Sequence, residues 1–180
     1  MIFRTLLHLL RSRRASRLDI NDVGRVNMRV LPTDLDVLGH MNNGVYLSIM
    51  DLGRMDLLIR AGLWKTMRAN GYYPVMANET ISFRKSLQPW QRFVLETKVI
   101  GYDAKSTYVE QRFVVDGEIY ASAITRGRFL KKGAGPVSTT ELSALIGIDV
   151  TASAPPAWVS TWAAAVALPA SRASAPSDWI

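Results

Sequence analysis

The sequence predicts an α+β domain in which an antiparallel β-sheet wraps one long central helix. Three observations predict it: a cleanly alternating stretch near residue 25, one long helical pattern after it, and four alternating stretches in succession. A chain of 180 residues is long enough for one domain with its own core.

Each element has its own warrant. In RVNMRV, Val26, Met28 and Val30 fall on one side, the pattern of a half-buried strand. In VYLSIMDLGRMDLLIRAG, Tyr46, Ile49, Met50, Gly53 and Leu57 recur at helical spacing, and Asp56 with Arg60 makes an i,i+4 pair. Gly62 marks the end, so the helix is expected over Asn43 to Ala61. PVMANETISFRK, RFVLETKVIGYD, KSTYVEQRFVVD and EIYASAITRGRFLKK then read as strands. Asp116-Gly117 is a strong two-residue hairpin signal and Asp103-Ala104 a weaker one.

The core is expected to end near Lys132. Ser138 and Glu141 form a capping box for TELSALI, which Gly147 terminates. Pro156 starts a last helix, AWVSTWAAAVAL, whose Trp158 and Trp162 lie one turn apart and are expected to dock it on the domain. The division is therefore a basic arm (1–23), the α+β domain (24–132), a helical extension (133–168) and a disordered tail (169–180).

Composition excludes several classes. No apolar run approaches the ~18 residues of a membrane span. Without cysteine there is no disulfide framework, thiol nucleophile or Cys-type zinc site, which fits a reducing, cytoplasmic setting. The net charge of +7 is not a nucleic-acid signal, because Arg4, Arg11, Arg13, Arg14 and Arg17 precede the first acid, Asp19. The rest carries 17 basic against 15 acidic residues. MIFRTLLHLLRSRR fits either a solvated, loosely packed terminus or an amphipathic helix touching an anionic membrane surface through residues 1–17.

Chemistry concentrates in TDLDVLGHMNNGVY, residues 33–46. Asp36 stands seven residues before Asn43, the expected helix start, where backbone N–H groups are unpaired and carry partial positive charge. Such groups stabilise a carbonyl oxygen as it becomes an oxyanion. A carboxylate nearby attacks the carbonyl or deprotonates a water that does. The alternative is structural: Asp34, Asp36 and Asn43 satisfying turn and cap hydrogen bonds. His40 is one of two histidines, and Asp with a single His lacks the ligands of a metal site. No metal or redox cofactor is expected.

LDVLGHMNNGVYLSIMDLGR resembles the D-x-x-G-H-x-N-N-x-x-Y-x-x-x-x-E-x-A-R signature of hotdog-fold thioesterases of the 4-hydroxybenzoyl-CoA thioesterase type. LPTDLDVLGHMNN also looks like the D-L-D-x-x-x-H-V-N-N segment of plant acyl-ACP thioesterases, and is closer still to proteins of the thioesterase superfamily member six type. The resemblance extends over Arg25 to Lys132, since the element order agrees. The D-x-N-P-x-H pattern of hydratases on this fold is absent.

What the resemblance implies is an acyl-CoA thioesterase acting in lipid metabolism. Asp36 would be nucleophile or general base, the Asn43 amide the oxyanion donor, and His40 an orienting or polarising partner, these three being the catalytic positions. Gly39, Asn42 and Asp51 are supporting positions. Leu38 departs from the asparagine of the plant-type enzymes, and Asp51 from the usual glutamate, leaving it free to pair with Arg54. The acyl chain would lie along the long helix against Tyr46, Ile49 and Met50, unless these are ordinary core. Arg84, Lys85, Arg128, Lys131 and Lys132 are available for coenzyme phosphates. The substrate is expected to be acyl-CoA or acyl carrier protein, and the assembly a homo-oligomer, a dimer or dimer of dimers. The alternative is a non-catalytic module that binds the same thioesters, associated with a membrane.

Overall fold

The computed structural model describes residues 2–149, 153–170 and 172–177. The elements are α1 (Ile2–Arg14), β1 (Gly24–Arg29), α2 (Asn43–Arg60), α3 (Leu63–Ala69), β2 (Tyr72–Phe83), β3 (Arg92–Tyr102), β4 (Thr107–Val115), β5 (Glu118–Lys131), β6 (Gly135–Pro136), α4 (Thr139–Ile146) and α5 (Ala157–Ala165). The five long strands form one antiparallel sheet in the order β1-β3-β4-β5-β2, and β6 adds to β5. This is the hotdog arrangement expected from the sequence.

Local chemistry explains the turns. Asp116 (φ 49°) and Gly117 (φ 82°) are both left-handed, as the tight β4–β5 hairpin requires. Ser138 accepts the Glu141 N–H at α4, and Gly147 closes that helix at φ 71°.

Alternation along β4 separates the two faces of the sheet. Val109, Gln111 and Phe113 face α2, where Gly53 lets the helix approach closely: a Cβ there would lie 2.5 Å from Leu95 and 2.6 Å from Thr97 Oγ1. Tyr46, Ile49, Met50, Leu95, Phe93 and Phe113 make the main core beside Gly53. Tyr46 meets Phe113 edge-on at 4.8 Å. On the other face, Tyr108 and Ile124 receive α5.

Three expectations change here. The N-terminal arm is not a loosely packed terminus. Its helix α1 docks on α2, burying His8 and Ser12, with Ser12 Oγ donating to Asp56 Oδ1 at 2.6 Å. Arg4 bonds both carboxylate oxygens of Asp34 at 3.1 and 2.7 Å. These partners lie 30 to 44 residues away in sequence, beyond the reach of a periodicity argument. Second, α5 docks through Val159 and Ala163, while Trp162 is only partly buried and Trp158 is 59% exposed. The small pair lets the helix sit close to the sheet. Third, α3 was not expected from the pattern; it packs Met67 against Tyr72, Val137 and Leu142.

The expected disordered tail falls partly on residues 171 and 178–180, which lie outside the described residues. Residues 169, 170 and 172–177 are exposed and form neither helix nor strand. Among the described residues, no helix is long and apolar enough to cross a membrane.

Candidate active site

Residues 35–41 form a small hairpin ahead of α2, closed by a bridge between Leu35 and Met41. Asp36 N–H donates to the His40 carbonyl at 2.9 Å, and Gly39 N–H to the Asp36 carbonyl at 3.1 Å. Gly39 takes φ 79°, the left-handed conformation that closes such a turn at low steric cost. Asp36 Oδ1 accepts from Leu38 N–H at 2.8 Å and from His40 N–H at 3.4 Å. Among the described residues Oδ2 has no donor, so one carboxylate oxygen holds the turn and the other is available.

The turn is fixed to the helix start by Asn42 N–H, which donates to the Asp34 carbonyl at 2.8 Å, and by Met41 N–H, which donates to the Leu87 carbonyl at 3.0 Å. Asn42, not Asn43, is the cap: its side chain accepts the Gly44 N–H at 2.8 Å, and its carbonyl the Val45 N–H at 2.9 Å. The Asn43 N–H has no acceptor among the described residues. An unpaired donor at a helix start is suited to a developing oxyanion.

Asp36 and His40 are half-buried, whereas Val37 and Leu38 project into solvent. Asp34, the other carboxylate of the stretch, is buried on Arg4 and Leu31 N–H and serves the framework.

Tyr46, Ile49 and Met50 are fully buried in the core. A cavity of about 170 Å³ lies further along α2, lined by Met55, Leu58, Met67, Met76, Phe129 and Leu142, with Asp51 and Arg54 on its wall. Asp51 pairs with Arg54, which also reaches Glu79 at 3.0 Å and Gln111 Oε1 at 2.8 Å. Burial pushes the Glu79 carboxyl up, against the opposing pull of Arg54. Glu79 and Gln111 escaped the sequence reading. The signal was present for Gln111, the one amide on the otherwise apolar inner face of YVEQRFVV.

The basic residues do not form one cluster. Arg84 and Lys85 both pair with Glu118, and Lys85 lies over Tyr120. Lys131 lies over the Tyr72 ring, ten strand positions away from Ala121, the register partner of Phe83. At about 3.4 Å per residue that places the groups some 30 Å apart. Only Arg84 and Lys85 share the loop that carries Leu87 and hence the Asp36 turn. Arg128, near the C-terminal end of β5, has its Nε buried without a hydrogen-bond partner among the described residues. Lys132 is exposed, its backbone N–H bonded to Gly71.

A family model described as the thioesterase-like superfamily matches residues 30–166. Protein THEM6 of Xenopus laevis is 43% identical over 99 residues, covering 55% of this chain and 48% of that protein. The chain spans about half the length of the curated relatives it matches. Among solved structures, YbaW, a probable thioesterase from Escherichia coli, superposes with a TM-score of 0.64 at 22% identity, over 70% of this chain and 98% of that one. The DHNA-CoA thioesterase of Staphylococcus aureus gives 0.60 at 15% identity, over 69% and 93%. At these identities the likeness is one of fold.

Proposed function

The chain belongs to the thioesterase-like superfamily, and on that premise we propose that it hydrolyses acyl-CoA thioesters to a free acid and CoA. The observation that carries this reading is the pairing of the Asp36 turn with the unpaired Asn43 N–H at the start of α2. The thioester carbonyl would point at that amide. Asp36 Oδ2 would deprotonate a water that adds to the carbonyl carbon, or attack the carbon itself. The C–S bond then breaks: after water addition the thiolate takes the proton held by Asp36, and after direct attack a water hydrolyses the acyl–Asp36 anhydride, releasing the acid and supplying the thiolate's proton. His40 is a positioning residue here, since its backbone holds both the N–H and the Oδ1 of Asp36.

Arg84 and Lys85 are the better candidates for coenzyme phosphates, because their loop is bonded to the Asp36 turn. The acyl group is assigned to the cavity along α2. A space of about 170 Å³ suits a benzene-sized or short aliphatic group, not an extended fatty chain. Asp51 stands eight residues beyond Asn43, about 12 Å along the helix axis. That separation within one chain favours a homodimer, in which a second copy brings its own cavity wall to the Asp36 turn. The free edge of β2, with Tyr73, Met76 and Phe83 exposed, is the surface such a copy would pair with.

Thiol release from acetyl-, benzoyl- and palmitoyl-CoA, with light scattering for mass, tests the reading. Turnover of the two small substrates by a dimer supports it. Saturable binding without turnover would instead identify a thioester-binding module.

A further inference from the structure

The outer face of α1 is unlike the rest of the surface. Leu6, Leu7 and Leu10 are 56%, 51% and 54% exposed, although α1 is firmly docked by Arg4, His8 and Ser12 on its other side. Arg13 and Arg14 are exposed among these leucines, and Arg17 follows. No acid occurs before Asp19. At the margin of this face, Arg11 joins Arg29 and Arg92 around an open groove of about 600 Å³. Arg29 at the end of β1 and Arg92 at the start of β3 are register partners. Asp116 is the one acid on the groove wall, and among the described residues none of the three arginines is in an ion pair.

We infer that the outer face of α1, with the Arg11–Arg29–Arg92 groove beside it, docks the protein on an anionic lipid bilayer. The leucines would enter the headgroup boundary, and the arginines would bind lipid phosphates around them. Interleaved leucine and arginine is the composition that such a boundary accommodates, since it offers apolar and anionic surface at one depth. A second copy of the chain fits poorly. A twofold contact on this face would set Arg13, Arg14 and Arg17 against their own equivalents with no acid to neutralise them. The inference is independent of the hydrolase reading, because it uses none of the residues assigned to catalysis.

The test is co-sedimentation of the full chain with vesicles of phosphatidylcholine alone, and of phosphatidylcholine with one third phosphatidylserine. Three variants accompany it: Leu6→Gln/Leu7→Gln/Leu10→Gln, Arg29→Gln/Arg92→Gln, and Asp36→Asn. Thermal melts establish that each is folded, as expected for the exposed leucine and arginine positions and for the near-isosteric change at Asp36. The wild type is expected to bind the phosphatidylserine vesicles, less tightly as salt rises, and to ignore the neutral ones. The leucine variant should lose binding. The arginine variant should weaken it about 25-fold, at roughly fivefold per charge removed. Asp36→Asn should bind as the wild type does, which separates this result from any loss of turnover. Equal binding to neutral vesicles, no binding, or unchanged binding by the folded leucine variant would each overturn the inference. A smaller particle for the leucine variant, with no vesicle binding by the wild type, would identify the face as an interface between copies and overturn it too.

Discussion

Asp36 and His40 hold each other across a single turn: Asp36 N–H donates to the His40 carbonyl at 2.9 Å, and His40 N–H returns to Asp36 Oδ1 at 3.4 Å. Gly39 lets the chain close between them at φ 79°, and a Cβ there would meet nothing within 4 Å. Gly39→Ala therefore acts through backbone strain alone, of about 1–2 kcal/mol for a side chain in the left-handed region. The expected result is a lower kcat from a displaced Asp36 with a small fall in Tm. Steady-state kinetics beside a thermal melt would show it, and an unchanged kcat would mean that the turn does not position the carboxylate.

Arg4 is the cation that makes a buried Asp34 tolerable; the Asp34 side chain is 3% exposed. Removing one partner of a buried pair costs about 3–5 kcal/mol. Arg4→Met should destabilise the fold by an amount in that range, read by urea denaturation. Deleting residues 1–17 would consequently unsettle the body as well as remove a surface.

His8 gives α1 a pH dependence. It is buried, with Nε2 3.2 Å from the Leu52 carbonyl, and burial holds its pKa below the usual 6.5 despite Asp56 at 4.0 Å. The unfolded chain therefore takes up the proton first as pH falls. This contribution to stability is fully present above the unfolded value and is lost as pH drops from 6.5 through the lowered folded value. Denaturation midpoints measured across that window should decline in the wild type and decline less in His8→Gln.

Tyr108 packs beneath α5, against Val159 and Ala163. Its hydroxyl donates to Asp103 Oδ2 at 2.6 Å, while Arg126 Nη1 donates to the Ala163 carbonyl in the last turn of α5 at 3.3 Å. Burial and the Asp103 bond push the phenol up to about 12, so it remains a donor throughout the neutral range. Tyr108→Phe should cost about 1–2 kcal/mol, the usual range for a lost hydrogen bond that leaves its partner half-exposed. Hydrogen exchange should accelerate first in α5.

The sheet and α2 were legible because their signals are local. Alternation named the five long strands, Asp116-Gly117 named the hairpin, and Tyr46 through Leu57 named the buried face of the helix. The Asp36 turn was legible as a pattern but not as a geometry: that Asn42 caps the helix and leaves the Asn43 N–H unpaired depends on backbone angles. The docking of α1 was hidden, since Arg4, His8 and Ser12 find partners only after the chain has folded back. So was the role of the tryptophans, because the sheet face beneath α5 admits Val159 and Ala163 more closely than an indole. Residues 157–165 lie on the opposite face of the sheet from the cavity along α2, whose wall receives Leu142 and Ile146 from α4.

The proposed role of Asp36 as the working carboxylate is tested most directly by thioester hydrolysis by Asp36→Asn against wild type. Asparagine keeps an oxygen for the Leu38 N–H, so the turn should survive and Tm should stay within about 1 °C, as for substitutions that break no buried contact. Turnover should fall by about 10²–10⁴-fold, the usual contribution of a positioned base or more, while the affinity for acyl-CoA changes little. Retention of most of the wild-type rate in that folded variant would contradict the assignment and move the search to Asp51 and Glu79 beside Arg54.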